Sequence, residues 1–288
     1  MIDFLNHPDT DRIITEALRE DIGDGDHSTL STVPTGLTAS ARCLIKGEGI
    51  LAGVQAAQRV MQQVDPQLKA EFLRADGDTV SPGDVAFYVH GDPRSILQAE
   101  RLLLNIMQRM SGIATATHQA VQLLAGTSCR LLDTRKTTPL FRHFEKWAVA
   151  LGGGVNHRFG LYDMVMIKDN HVDYAGGIAQ ALSATQRYLS EHNLPLAIEI
   201  ETRNLDEVQQ VLDAGGADRI MLDNMTPATM REAITMINGR AETEASGGIT
   251  WEQIPAVAAT GVDFISMGAL THSIKSLDIS LKAVTNDH

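Results

Sequence analysis

Short apolar runs recur from about residue 128 onward, and this rhythm most strongly limits the folds open to the chain. The runs occupy residues 129–132, 164–167, 196–200, 219–222 and 262–267, with a weaker run near 241–246. Most are separated by amphipathic stretches of helical length, and alternation of strand and helix predicts a parallel sheet with both faces covered. Six repeats fall short of the eight of a complete barrel, so we expect an incomplete or irregular α/β barrel. A doubly wound open sheet is the alternative, although its usual G-x-G-x-x-G motif is absent from the sequence.

The chain before residue 128 has a mixed pattern. Residues 10–20 carry apolar side chains at helical spacing, whereas residues 38–53 and 68–90 contain short β-like runs separated by turn residues. A long helix is expected to begin near Ser95, with Gln98 completing a capping box, and to end before Ser111-Gly112.

Composition excludes several classes of protein. The 288 residues are 43% hydrophobic, which suits one large domain or two smaller ones. The start of the chain has no signal-peptide pattern, and no run approaches the roughly 20 apolar residues of a membrane span. Having only Cys43 and Cys129, the protein is expected in a reducing cytoplasm, without a disulfide framework or a structural zinc site. The formal net charge of −12 argues against nucleic acid as a partner and requires that any anion-binding cations be concentrated in a cleft.

Polar residues follow each apolar run. In α/β barrels the chemistry sits at the carboxyl ends of the strands, so these residues are expected at one mouth. The segments concerned are Asp133-Thr134-Arg135-Lys136, Lys168-Asp169-Asn170-His171, Glu199-Ile200-Glu201, Asp223-Asn224, Ser246-Gly247-Gly248 and Ser266-Met267-Gly268.

The cations among them predict a site for a dicarboxylate or a phosphate. Arg135 offers a planar fork and Lys136 a mobile point charge. His157 and Arg158 follow a triple glycine that is expected to end the preceding helix. Pairing of Arg135 with Asp133, or a purely structural His157, remains the alternative to substrate binding. On the long helix, Arg101 and Arg109 are by themselves most simply solvated.

The carboxylates and glycine turns suggest a metal and a phosphate. Glu201 and Asp223 end successive runs, as carboxylates that hold Mg²⁺ often do, and one of them could instead stabilise a cationic sugar centre. Glu199 has the same side-chain parity as Glu201, so spacing does not choose between the two. The turns at Ser246-Gly247-Gly248 and Ser266-Met267-Gly268 are typical of a phosphate cradle at the last strands of a barrel.

These segments, in this order, resemble the quinolinate phosphoribosyltransferase family over nearly the whole chain. The most specific matches are Asp133-Thr134-Arg135-Lys136-Thr137-Thr138-Pro139, Glu145-Lys146, Gly152-Gly153-Gly154-Val155-Asn156-His157-Arg158 and Ile167-Lys168-Asp169-Asn170-His171. The resemblance implies an N-terminal open α/β sandwich over residues 1–112 and an irregular α/β barrel of about seven strands over residues 113–273. A tail of residues 274–288 would pack back on the first domain. It also implies a homodimer, or a hexamer of dimers, with each active site shared between subunits.

The resemblance further assigns roles to residues. Its substrates are quinolinate and phosphoribosyl pyrophosphate, and decarboxylation gives nicotinate mononucleotide for NAD biosynthesis. The implied quinolinate ligands are Arg101 from the partner subunit, Arg135, Lys136, His157, Arg158 and Lys168. Lys136, Glu201 and Asp223 are the implied catalytic residues, and the two acids are the implied Mg²⁺ ligands. Ser246, Gly247, Gly248, Ser266, Met267 and Gly268 are implied to hold the 5-phosphate.

One position departs from the family pattern, and two other functions remain as alternatives. Leu140 stands where the family often has glycine, which could alter how the next helix starts. A molybdenum-transport-associated paralogue with a different substrate is the closest alternative function. A barrel lyase that forms a Schiff base through Lys136 or Lys168 is a more distant one.

Overall fold

The computed structural model describes residues 3–284. These residues form twelve strands: β1 (Ala39–Ile45), β2 (Gly49–Ile50), β3 (Lys69–Phe72), β4 (Thr79–Val80), β5 (Val85–Gly91), β6 (Arg130–Leu132), β7 (Val165–Ile167), β8 (Ile198–Thr202), β9 (Arg219–Asp223), β10 (Glu242–Ser246), β11 (Phe264–Ser266) and β12 (Ile279–Ala283). The same residues form eleven α-helices: α1 (Pro8–Ile22), α2 (His27–Thr32), α3 (Val54–Val64), α4 (Pro93–Gln122), α5 (Arg142–Leu151), α6 (Asp169–Ala175), α7 (Ile178–Glu191), α8 (Leu205–Ala214), α9 (Pro227–Ile237), α10 (Ile254–Ala258) and α11 (Ala269–His272).

The chain divides into two compact units, each discontinuous in sequence. The first unit contains the described residues up to His118, the segment Lys136–Gly153 and the described residues from Ala269 onward. The second unit contains Gln119–Arg135 and Gly154–Gly268. The domain bounds expected from the sequence, 1–112 and 113–273, stay a prediction. Residues 285–288 of the expected tail lie outside the described part of the chain.

An antiparallel sheet forms the centre of the first unit. Its strand order is β12-β1-β5-β3, and β1 pairs with β12 from Ala41 opposite Ala283 to Ile45 opposite Ile279. Along β1 the buried side chains alternate, as expected of a strand with one face on the core. Cys43, Ile45 and Phe87 are completely buried there. β12, the last described strand in the sequence, therefore forms one edge of this sheet and pairs with β1, the first strand.

The long helix corrects two expectations. α4 begins at Pro93, close to the expected Ser95, but Ser95 does not cap it: Asp92 accepts the Arg94 N–H at 2.8 Å, while Ser95 Oγ donates to Asp65. The helix also continues through Ser111-Gly112 to Gln122. Gly112 does not end the helix; a Cβ there would lie 2.4 Å from the Lys275 carbonyl oxygen, so the glycine allows two backbone segments to approach closely.

The second unit confirms the expected irregular barrel. All six predicted runs are strands, and they form a parallel sheet in the order β6-β11-β10-β9-β8-β7. The last strand thus pairs back to the first, as in a barrel and not in a doubly wound sheet. Val155 bridges the other side of β6 through Leu132, adding one residue of a seventh strand. Within residues 3–284, no backbone bridge joins Val155 to β7, so the ring stays open there.

Leu140 has a strained backbone. Its φ is +64°, in the left-handed region, and 81% of the residue is exposed. A non-glycine residue there costs about 1–2 kcal/mol, whereas glycine adds about 0.5–1 kcal/mol of conformational entropy to the unfolded chain. We therefore expect Leu140→Gly to raise the free energy of unfolding by about 0.5–1 kcal/mol, measured in urea. Leu161, 71% exposed but without a positive φ, is the control: Leu161→Gly should not stabilise the protein.

Candidate active site

The predicted polar residues of the second unit lie at or just beyond the carboxyl ends of its strands. Arg135 follows β6 and Lys168 follows β7; Glu201 and Asp223 lie in the last two residues of β8 and β9, and Ser246 ends β10. Because the sheet is parallel, these ends share one edge. The structure therefore brings the predicted cations, acids and glycine turns of this unit to the same edge, as the strand-end rule requires.

A buried carboxylate holds the chain that carries His157 and Arg158. Asp133 is completely buried, and it accepts hydrogen bonds from the Asn156 side chain at 2.7 Å and from the His157 N–H at 2.9 Å. Asp133 thus helps to fix the position of this segment. Burial and the nearby positive charge of Arg135 lower the pKa of Arg158. Two guanidinium groups that repel each other electrostatically form a local positive field that favours an anion.

Glu201 and Asp223 form a pair of negative charges at the same sheet edge. Burial, together with the negative charge of Asp223, raises the pKa of Glu201, while Lys168 acts in the other direction. Asp223 accepts a hydrogen bond from the Asn224 side chain at 2.6 Å, which orients its carboxylate. Two half-buried carboxylates that repel each other at a strand edge are suited to a divalent cation, since oxygen ligands and negative charge are what Mg²⁺ prefers.

The turn after β10 depends on close backbone approach. Gly247 has φ +96°, and the N–H of Asn224 donates to the Ser246 carbonyl at 3.0 Å. A Cβ on Gly247 would lie 2.7 Å from the Asn224 nitrogen. The turn therefore touches the end of β9 and the residue after Asp223. The other predicted phosphate turn differs, because Ser266 and Met267 are buried and the Ser266 hydroxyl is a hydrogen-bond partner of Glu244.

A buried charged cluster lies beside these strand ends, and sequence reasoning missed most of it. Glu199 and Glu244 are completely buried, and their Oε2 atoms lie 3.0 and 3.3 Å from His157 Nε2. Arg219 Nη1 lies 3.2 Å from Glu244 and 3.9 Å from Glu199. The structure thus separates Glu199, which belongs to this cluster, from Glu201, which faces Asp223. The sequence gives one indication of the cluster, since Glu244 is an acid inside a short predicted strand, but the partners of Glu244 are distant in sequence.

The acids and cations of this cluster neutralise one another at least in part. Burial disfavours a charged His157 ring, but the neighbouring carboxylates of Glu199 and Glu244 outweigh it and raise the pKa to about 9. The Arg158 N–H donates to His157 Nδ1 at 2.6 Å and so favours a neutral ring, whereas the two carboxylates beside Nε2 favour a charged one. With His157 charged, His157 and Arg219 face the two buried carboxylates, and Arg219 also pairs with the exposed Glu242 at 2.8 Å. His157, predicted as a quinolinate ligand, has its Nε2 directed at these acids.

This cluster makes stability depend on pH. The pKa of folded His157 is about 9 against an ordinary value of 6.5, so the stabilisation is complete below pH 6.5 and is lost as pH rises through about 9. We expect the free energy of unfolding to fall by up to about 3 kcal/mol across that interval. Glu244→Gln removes one carboxylate and should move the fall to lower pH. An unchanged interval in that variant, measured by urea unfolding from pH 6 to 10, would contradict this account.

The remaining predicted residues belong to the first unit. Lys136 and Arg101 both have exposed side chains, and the Lys136 carbonyl accepts a hydrogen bond from Thr271 Oγ1 at 2.8 Å. Arg109 was expected to be solvated, and that was wrong: its side chain is only 27% exposed, and its guanidinium donates to the buried Glu145. Among residues 3–284, none of the helices has the length and apolarity needed to cross a membrane.

Comparison with known proteins agrees with this architecture. The family model described as the quinolinate phosphoribosyl transferase C-terminal domain matches residues 113–282, and the model of the corresponding N-terminal domain matches residues 26–111. The chain is 48% identical to a chloroplastic nicotinate-nucleotide pyrophosphorylase [carboxylating] of Arabidopsis thaliana, covering 97% of this chain and 85% of that protein. It is 42% identical to a probable nicotinate-nucleotide pyrophosphorylase [carboxylating] of Bacillus subtilis, covering 96% and 94%.

Solved structures give the same result. The nicotinate-nucleotide pyrophosphorylase of Francisella tularensis superposes with a TM-score of 0.91 at 39% sequence identity, over 99% of this chain and 100% of that one. The two matching family models together span most of the sequence, and the similarity to relatives extends over nearly its full length. The chain therefore belongs to the quinolinate phosphoribosyltransferase family.

Proposed function

We propose that the protein is a carboxylating nicotinate-nucleotide pyrophosphorylase. It transfers the phosphoribosyl group of phosphoribosyl pyrophosphate to quinolinate, with release of pyrophosphate and carbon dioxide, and forms nicotinate mononucleotide for NAD biosynthesis. The observation that carries this proposal is that the guanidiniums of Arg135 and Arg158 follow the carboxyl ends of neighbouring strands on the same sheet edge as Glu201 and Asp223. The two guanidiniums suit the carboxylates of quinolinate, and the two acids suit the ribose of phosphoribosyl pyrophosphate and its bound metal ion. The family membership and the names of the relatives support the same reaction.

Quinolinate binding is assigned to the cations. Arg135 and Arg158 would each form paired hydrogen bonds with a carboxylate, since the guanidinium fork matches carboxylate geometry. Lys168 adds a point charge at the next strand end. Lys136 and His157, and Arg101 from a partner subunit, complete the predicted set. Binding the dicarboxylate relieves the repulsion between the two guanidiniums, which favours quinolinate over a neutral pyridine.

Glycosyl transfer needs negative charge near the sugar. The quinolinate nitrogen attacks the anomeric carbon as pyrophosphate departs, and positive charge develops on the ribose ring. Glu201 and Asp223 would stabilise that charge, because carboxylates fixed in position need no reorganisation as the charge appears. A magnesium ion held by these two acids, directly or through water, would supply neutralisation of the pyrophosphate leaving group. Ser246, Gly247 and Gly248, with Ser266, Met267 and Gly268, are the proposed 5-phosphate contacts.

Decarboxylation follows from the charge that transfer creates. The alkylated nitrogen becomes a pyridinium, which stabilises the carbanion left when the neighbouring carboxylate leaves as carbon dioxide. A proton then adds at that carbon. Lys136 is the proposed electrostatic partner or proton source for this step.

The wider setting is also proposed. The protein acts on these small molecules as a homodimer or a hexamer of dimers with shared active sites, and it is located in the cytoplasm, although the Arabidopsis relative is chloroplastic by name. The names of the relatives disfavour the molybdenum-transport-associated alternative.

One assay tests the reaction. The purified protein is incubated with quinolinate, phosphoribosyl pyrophosphate and Mg²⁺, and carbon dioxide, pyrophosphate and nicotinate mononucleotide are measured together. We expect all three in equal amounts, and loss of turnover on chelation of the metal. If the folded protein forms none of them, the proposed function is wrong. Covalent trapping by borohydride with a carbonyl substrate would instead favour the Schiff-base lyase.

A further inference from the structure

The segment after Arg135 is attached to the first unit through its main chain. The Lys136 carbonyl accepts from Thr271 Oγ1 at 2.8 Å, and the Thr138 N–H donates to Glu145 Oε2 at 3.0 Å. Thr138 Oγ1 also donates to Glu145 Oε1 at 2.9 Å. These bonds lie on either side of the exposed Lys136 side chain. They fix where that side chain starts without using the side chain itself.

Glu145 is placed to act as the centre of this attachment. It lies in the first turn of α5 and is completely buried. A buried carboxylate must be compensated by hydrogen bonds and an opposite charge. Glu145 receives both: besides Thr138, Arg109 donates to its Oε1 from Nε at 3.2 Å and from Nη2 at 2.8 Å.

Arg109 completes a ring of hydrogen bonds that includes the Lys136–Thr138 segment. Its Nη2 also donates to the carbonyl oxygen of Thr271, the residue whose hydroxyl binds Lys136. The path therefore runs from Lys136 to Thr271, Arg109, Glu145 and Thr138, and returns to Lys136 along the chain. A buried ion pair adds little net stability compared with apolar residues of the same volume. Stability alone therefore gives no reason for this arrangement, whereas fixing the position of one loop does.

We propose that Arg109 and Glu145 are positioning residues that hold the Lys136–Thr138 segment and so set the position of the Lys136 amino group. The inference rests on the role proposed above for Lys136 in the reaction. Glu145 and Arg109 touch neither substrate in this proposal and act only through the loop. A displacement of about 1 Å at a reacting group can lower a rate by about 100-fold, so loss of the ring should appear in turnover.

The test compares Glu145→Gln with a matched control. Asp84 likewise accepts from a backbone N–H, that of Ser81 at 3.0 Å, and from an arginine, Arg74 at 3.1 Å, but it holds the turn before β5. We expect Glu145→Gln to lower kcat about 10-fold or more, with each KM changed by less than about threefold. Asp84→Asn should leave kcat within about twofold of wild type. Equal effects of the two substitutions, or an unchanged kcat for Glu145→Gln, would overturn the inference.

A double substitution separates positioning from general damage. If Glu145 acts through Lys136, then Glu145→Gln in a Lys136→Ala background should change the single-turnover rate by less than about twofold. Independent effects of the two substitutions, whose fold-changes multiply in the double variant, would refute the role.

If Glu145→Gln fails to fold, Thr271→Val is the second variant, because it removes only the hydroxyl that donates to the Lys136 carbonyl. The same fall in kcat, and the same lack of effect in the Lys136→Ala background, are expected of it. Absence of turnover in the wild-type protein would instead refute the proposed function, and full turnover in Lys136→Ala would refute the role of that lysine.

Discussion

Arg158→Ala is expected to lower kcat/KM for quinolinate about 100-fold while the KM for phosphoribosyl pyrophosphate changes by less than about threefold. The substitution removes a charged contact with a carboxylate, worth about 1.5–3 kcal/mol, and a 100-fold loss corresponds to the upper part of that range. Folding should survive the change, because burial and Arg135 already disfavour the charge of Arg158 in the folded protein. Initial rates with each substrate varied in turn, together with urea unfolding, measure both effects.

Two further variants sharpen this prediction. Arg158→Lys keeps the charge but not the fork, so we expect an intermediate loss of about 10-fold. Arg130 is the control: it begins β6, at the opposite end from Arg135, where its guanidinium lies 4.5 Å from the Phe264 ring centroid. Arg130→Ala should leave both KM values near those of wild type. A loss for Arg130→Ala equal to that for Arg158→Ala would mean that the effect reflects damage to the sheet and not loss of a substrate contact.

Gly247→Ala is expected to have the second large effect, on stability and turnover together. Its φ of +96° already strains any other residue, and the added Cβ would meet the Asn224 nitrogen at 2.7 Å. Strain of about 1–2 kcal/mol and the shift needed to relieve the clash should lower the free energy of unfolding by about 3 kcal/mol. The shift falls on the residue next to Asp223, so kcat should drop by about 100-fold.

Gly261 provides the matched control for that substitution. Its φ is +90°, and a Cβ there would meet no atom within 4 Å. Gly261→Ala should therefore lose only the strain, about 1–2 kcal/mol, and keep the kinetics of wild type. If both alanine variants lose the same stability and activity, the contact between the Gly247 turn and Asn224 does not matter for the site.

Sequence reasoning located the strand ends well, for a physical reason. Parallel strands buried on both faces are continuous apolar runs, so the polar residue that follows each run marks its carboxyl end. Arg135, Lys168, Glu201 and Asp223 were placed correctly in this way, although their roles stay predictions. The end of α4 was wrong because glycine has two uses: it stops helices, and it also lets backbones touch. Only the position of Lys275, far away in sequence, decides which applies at Gly112.

The buried charged clusters could not be predicted from the sequence, for a related reason. Glu244 lies within a predicted strand, where an acid interrupts the apolar pattern. The charges that compensate it belong to Arg219 and His157, which are distant in sequence. The Arg109–Glu145 pair joins two helices. An isolated arginine on a helix is usually solvated, and no local spacing indicates a buried partner 36 residues away. Pairing across sequence distance depends on the fold and cannot be obtained from periodicity.

The pairing of β1 with β12 bears on how the protein forms during synthesis. β1 is translated early, yet one of its edges has no strand to bind until residues 279–283 have left the ribosome. In the meantime that edge exposes a row of unpaired N–H and C=O groups, which other chains can bind. The second unit, whose strands lie between these two, is complete in sequence before the first sheet closes. The first unit is therefore the first to be synthesised and the last to complete its sheet, and its open edge can associate with other chains until then.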